Sequence, residues 1–243
     1  MLHDTALQIR MSHLLKKMFR GLDIARPCLF FESLPSTPIN IEEHEYIILT
    51  EMGSPKSYVK IGTTESLPLS DDICLDQAVS LQKVLLKLAH NEVIFFKALG
   101  KVVSYVTLND VQKAPVRMWA FGMVTVMEMF ITRIVKEKYN DELLSTVLSP
   151  GRIEKTKELK IERQRRGQDP DFIDCLQLRD KIEILAKDQE LRDEHDFASK
   201  TQIRKMGKQL EEFRNDLAHS QTLSNIDLIW LFAEKVDKIL TRI

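Results

Sequence analysis

The chain has 243 residues, 44% hydrophobic and 29% charged, and its Lys+Arg 35 against Asp+Glu 36 leaves a net charge of −1. That composition excludes wholesale disorder, and the balanced charge excludes a polybasic protein, so any nucleic-acid site must be local. Gly 8 and Pro 8 are about half the usual share, so turns are scarce and helix is expected to dominate.

Taken in chain order, Met11–Gly21 is amphipathic and is followed by CLFFE from Cys28 to Glu32, a run of strand length. EYIILTE (Glu45 to Glu51) and SYVKIG (Ser57 to Gly62) read as further strands, Leu75 to His90 as a helix, and EVIFF (Glu92 to Phe96) and KVVSYVTL (Lys101 to Leu108) as two more strands. The first part reads as a repeat. Phe30-Phe31 maps onto Phe95-Phe96, and Thr63–Leu67 onto Thr107–Val111. The two offsets differ by 21, which predicts an insertion of that size at Leu34–Glu45 in the first copy. Cys28, Cys74 and Cys175 are far apart with no CxxC pair, the pattern of reduced thiols in a cytoplasmic protein. The N-terminal MLHDTALQIRMSHLLKKM is too polar for the apolar region of a signal peptide.

The second copy ends in Gly100-Lys-Val-Val-Ser-Tyr-Val-Thr-Leu-Asn-Asp110. Thr107 is a good N-cap, and Asp110 falls in the first turn, where a carboxylate suits the helix dipole. This stretch resembles the end of a CBS module, in which a strand pair runs into a Thr/Ser-x-x-Asp helix start. The resemblance implies an adenine-nucleotide ligand, with Thr107 toward phosphate and Asp110 toward the ribose hydroxyls. Ser104 stands where that family has Gly, and the first copy offers Ser66 in the place of Asp110, so the pair is a degenerate one. Read from the residues alone, Thr107 and Asp110 cap a helix.

After Pro115 the strand signals end. Trp119, Met123, Val126, Phe130 and Ile134 form one stripe, and Ile203, Met206, Leu210, Phe213 and Leu217 a second. Ile226, Ile229, Ala233 and Val236 form a third, and Ile173, Leu176, Ile182 and Leu185 suggest a fourth helix. Four apolar faces predict an up-and-down bundle. The window Val116–Val135 is the most hydrophobic, but Arg117, Glu128 and Arg133 interrupt it, so a buried helix is expected and no membrane contact. Because that helix is apolar on more than one face, a homodimer is expected. Arg152–Arg166 carries seven bases against three acids, and Gln168–Asp196 ten acids against four bases. This is either a phosphate-binding run or two packed, solvated faces.

The sharpest motif is Arg214-Asn215-Asp216-Leu217-Ala218-His219, at the end of the second stripe. Histidine supplies proton transfer near neutral pH, and arginine a fixed planar cation for phosphate oxygens. The segment resembles the HEPN signature, in the R-N-x-x-A-H form, and the likeness extends over roughly residues 116–243. It implies an all-α bundle, a dimer that brings two motifs into one cleft, and in many members metal-independent RNA cleavage. Arg214, Asn215 and His219 would be catalytic, with Glu128 as the acid that many members carry in the first helix.

The sequence thus predicts an α+β, CBS-like part over 1–114 and an all-α, HEPN-like bundle over 115–243, helix-rich overall. The expected activity is metal-independent RNA endonuclease with no required cofactor, an adenine nucleotide being the ligand of the first part. The rival reading is a non-catalytic nucleotide-sensing or protein-interaction regulator. No His/Cys/Asp/Glu cluster has metal-ligand spacing, and no Gly-rich phosphate loop is present.

Overall fold

A computed structural model of the chain describes residues 2–35, 44–195, 199–218, 223 and 226–240. It is a mixed α+β protein with two small sheets and a helical C-terminal half. The chain divides into two compact units. One comprises residues 13–120 with 229–240, the other residues 121–228 with 2–12.

The first unit opens with the end of α1 (Leu2–Met18), then β1 (Arg26–Pro27) and β2 (Leu29–Phe31). β3 (Tyr46–Glu51) and β4 (Ser54–Lys60) form a hairpin, followed by β5 (Ser66–Pro68) and β6 (Cys74–Asp76). α2 (Leu81–Leu88) leads to a second hairpin, β7 (Val93–Ala98) and β8 (Lys101–Thr107). The sheets are ordered β1-β8-β7-β6 and β2-β3-β4-β5. α2 forms because Leu81, Val84, Leu85 and Leu88 recur at helical spacing and are all buried, while Ser80 caps its first turn.

The repeat is real, but its phase differs from the expected one. Tyr46 pairs with Lys60 and Val93 with Thr107, and the bulges fall at Leu49/Thr50 and Phe96/Lys97. The turns are Met52-Gly53 and Leu99-Gly100, with φ of 50°/74° and 49°/78°. Every one of these features is displaced by the same 47 residues, with no insertion between the hairpins. β2 lies parallel to β3 as β6 lies parallel to β7. Phe30-Phe31 on β2 is therefore not equivalent to Phe95-Phe96 on β7. Thr107 corresponds to Lys60, and Asp110 to Thr63 rather than Ser66. The diphenylalanine pairs match because both strands are short apolar runs, and β6, three residues long, overlaps the start of the helix expected over Leu75–His90. The faces of the two sheets meet through four rings. Tyr46 lies 5.9 Å from Tyr58 and 5.9 Å from Tyr105, and Phe95 lies 4.9 Å from Tyr58 and 6.2 Å from Tyr105. Such tilted and edge-on pairs add to the burial they share.

From α3 (Ala114–Lys138) onward all described elements are helical: α4 (Asp141–Val147), α5 (Pro150–Arg165), α6 (Leu178–Lys187), α7 (Gln189–Glu194), α8 (Lys200–Ala218) and α9 (Ile226–Leu240). α3 is long and apolar enough to cross a membrane, but 56% of its most apolar window is buried inside the fold. The fourth expected helix divides into a 3-10 turn, Phe172–Cys175, and α6. Within the second unit α6 and α8 pack closely. A Cβ on Gly207 would fall 2.4 Å from Ile182 Cγ2, so only glycine permits this approach. In the first unit, buried Gln82 donates from Nε2 to the Ala233 carbonyl at 2.8 Å and fixes α9 there.

Candidate functional site

Thr107 and Asp110 cap a 3-10 turn, Leu108–Gln112, rather than an α-helix. The Asp110 side chain is fully buried. Its Oδ1 accepts from Arg26 Nε and from Lys113 Nζ, both at 2.8 Å. Oδ2 accepts from the Thr107 backbone N–H at 2.8 Å and lies 3.3 Å from Thr107 Oγ1. The single hydroxyl proton of Thr107 has a nearer acceptor, Glu45 Oε1 at 2.9 Å. That oxygen also receives Arg26 Nη2 at 2.9 Å and Asn109 Nδ2 at 3.0 Å. Burial would lower the Arg26 pKa, but the hydrogen bond and charge of Asp110, with Glu45, outweigh it and raise it. A carboxylate offers about four acceptor positions, and three of those of Asp110 hold protein donors. The same coordination for a ribose requires Arg26 or Lys113 to withdraw.

The second site is built on α3, α6 and α8. α8 forms because Ile203, Leu210 and Phe213 bury one stripe, with Met206 and Leu217 half-buried beside it. Arg214, one residue past Phe213, turns toward α3 and places Nη1 3.4 Å from Glu128 Oε2. Both side chains remain partly open, 39% and 29% exposed. Asn215 lies about 100° further round the helix and lines a groove of ≈ 460 Å³ with Arg179, Glu183, Arg204, Lys208 and Glu211. The structure therefore brings Arg214 and Glu128 together and places Asn215 on a different side of α8. His219 lies outside the described residues.

One helical turn beyond Glu128, Thr132 meets a buried residue that carries no motif in the sequence. Lys181 on α6 is only 4% exposed. Its Nζ donates to Thr132 Oγ1 at 2.9 Å, and Thr132 in turn donates to the Glu128 carbonyl at 2.8 Å. Burial lowers the Lys181 pKa, against the opposing pull of Glu128 and Asp174. Arg26, Glu45 and Lys181 meet side-chain partners that are distant in sequence, so no local spacing could reveal them, whereas Lys113 lies only three residues from Asp110.

The basic run of α5 turns much of its charge inward. Arg152 Nε meets Asp180 Oδ1 at 3.0 Å, and Arg163 Nη1 donates to the Asp174 carbonyl at 3.1 Å. The exposed Lys155, Lys157, Arg165 and Arg166 are interleaved with exposed Glu154, Glu158 and Glu162. The packed-face reading accounts for this helix, and a phosphate track along it has little net charge to work with. Among the described residues no group of three or more His, Cys, Asp or Glu side chains could hold a metal ion. No protein-family model matches the chain, and neither a curated protein nor a solved structure does.

Proposed function

We propose that the protein is a metal-independent RNA endonuclease of HEPN type, acting as a homodimer, with a degenerate CBS-like pair as its first part. The observation that carries the reading is the Arg214–Glu128 contact. Two residues 86 positions apart, implied by one motif, meet at a partly open surface. In this reading Arg214 binds the phosphate and stabilises the phosphorane charge. His219 moves the proton between the 2'-OH and the leaving 5'-oxygen. Asn215 orients the substrate, and Glu128 holds Arg214 before substrate arrives. The β6–α2–β7–β8 order, ending in the Thr107-capped turn, supports the CBS-like assignment.

The test is cleavage of RNA in EDTA, with a 2',3'-cyclic phosphate on the product. His219→Ala should lose activity by about 10²–10⁴-fold, and Arg214→Ala should lose it comparably. Arg214→Lys should recover little, because a point charge lacks the planar fork. Full activity in His219→Ala defeats the reading.

One observation favours a second reading, a non-catalytic interaction module. The two hairpin tips present Met52 and Leu99 at 99% and 101% exposure, paired apolar knobs suited to a protein partner. It predicts no cleavage under any condition and loss of a partner in Met52→Ser and Leu99→Ser.

A further inference from the structure

The Glu128–Arg214 contact poses a charge problem. When Arg214 turns to a phosphate, the Glu128 carboxylate, 29% exposed, loses its partner in a partly desolvated place, and stranding a carboxylate there is costly. A second cation close by removes that cost. Lys181 is such a cation, since its Nζ is fixed 2.9 Å from the hydroxyl of Thr132, one helical turn beyond Glu128 on the same face of α3.

Charged groups face Lys181 from each element packed against it. α3 presents Glu128 and Lys136, the turn Phe172–Cys175 presents Asp174, and α5 presents Arg163. Lys136 bridges Asp171 and Asp174, both at 2.8 Å. With Arg214 and Lys160 included, five cations (Lys136, Lys160, Arg163, Lys181, Arg214) face three carboxylates (Glu128, Asp171, Asp174). The cluster is thus net positive, as suits an anionic ligand.

We propose that Lys181 is a positioning residue for the phosphate site. Its buried ammonium supplies the standing countercharge of Glu128, so that Arg214 is held loosely and can be released to a phosphodiester. The proposal rests on the reading of Arg214 as the phosphate ligand. It also explains why the Arg214–Glu128 pair is a single long contact rather than a bidentate one: Glu128 does not depend on Arg214 alone.

The test measures Arg214 directly and needs no RNA. The full chain is treated with phenylglyoxal, and modification of Arg214 is followed by peptide mass spectrometry. Glu128→Gln frees the guanidinium and should raise the rate. Lys181→Met, close in shape and apolar, should leave Glu128 to Arg214 alone and lower the rate by about two- to fivefold, the range of a partly exposed ion pair. The double variant Lys181→Met/Glu128→Gln should return to the rate of Glu128→Gln, a rescue that a purely structural role of Lys181 does not produce. Should Lys181→Met fail to fold by circular dichroism, Lys181→Gln carries the same comparison. An Arg214 rate in the lysine variant equal to or above the wild-type value overturns the proposal. That result leaves the nuclease reading untouched, whereas absence of RNA cleavage removes the phosphate site on which the proposal rests without changing the expected Arg214 rates, so the two failures are distinguishable.

Discussion

Asp110 and Glu128 are both acids facing an arginine, and they are held in opposite ways. Asp110 is sealed, with Arg26, Lys113 and the Thr107 N–H within 2.8 Å. Glu128 is partly open, and among the described residues its side chain meets Arg214 at 3.4 Å. A buried carboxylate with three short donors is closed to solvent and its partners are fixed, which is how a turn is locked in place. A carboxylate with a single loose partner holds a cation that a stronger anion can take. The burial of an acid and the number of its donors therefore separate a clamp from a site, although both were flagged in the sequence as a motif acid.

The largest expected effect is on catalysis. Arg214→Ala should abolish RNA cleavage by two or more orders of magnitude while leaving the melting temperature nearly unchanged, because a partly exposed ion pair contributes less than about 1 kcal/mol. The comparison breaks if Arg214→Ala unfolds the protein, since the pair would then be a clamp as well.

Next comes Asp110→Ala. It removes a buried acceptor from Arg26 and Lys113, leaves the Thr107 N–H unpaired and opens the capped turn, and should cost about 3 kcal/mol, read as a lower urea midpoint with unchanged slope. Glu128→Gln in the same assay should move the midpoint by a small fraction of that. The same contrast bears on ligands. Millimolar AMP, ADP or ATP should leave the melting temperature unchanged, because Asp110 is buried and already holds three protein donors. A rise that disappears in Asp110→Ala would instead return Asp110 to nucleotide binding.

The helices were legible because α2, α3 and α8 each bury a stripe at helical spacing, and the hairpins because β3, β4, β7 and β8 are β-branched or aromatic. The phase of the repeat was not legible. It is set by the left-handed turns at Met52-Gly53 and Leu99-Gly100, whose first residues are not the Asn or Asp that usually mark such turns. The motif arginine and its acid could be named from the sequence, but the lysine beneath them could not. Lys181 becomes special only when α6 packs it against α3, a contact 49 residues distant.

Those turns give a third prediction. Leu99 adopts φ 49° with its side chain fully in solvent, so neither backbone preference nor burial favours leucine. Leu99→Asn fits the left-handed turn and should stabilise the protein by about 0.5–1 kcal/mol. Met52→Asn should do the same in the first hairpin, and equal gains would confirm that the two turns are equivalent. A loss at either tip would mean that the apolar knob is buried against a partner in solution.

The smallest effect is a pH dependence in the groove beside Asn215. Arg204 Nε donates to Glu183 Oε2 at 2.8 Å, and this hydrogen bond, with the charge of Arg204 and against a smaller opposing effect of burial, holds Glu183 below the ordinary glutamate value of 4.5. A carboxyl whose pKa is depressed on folding stabilises the fold at pH above its unfolded value, and that contribution is lost as the pH falls through the folded one. Glu183 and Arg204 are 32% and 45% exposed, so solvent screening keeps the contribution below about 1 kcal/mol. Glu183→Gln should therefore melt slightly below wild type at pH 7, and the gap should close progressively below about pH 4.5, as protonation removes the same charge from the wild-type chain. A gap that persists at pH 3 would mean that Glu183 acts through packing of α6 on α8, and the Arg204 pair would then join Asp110 among the clamps.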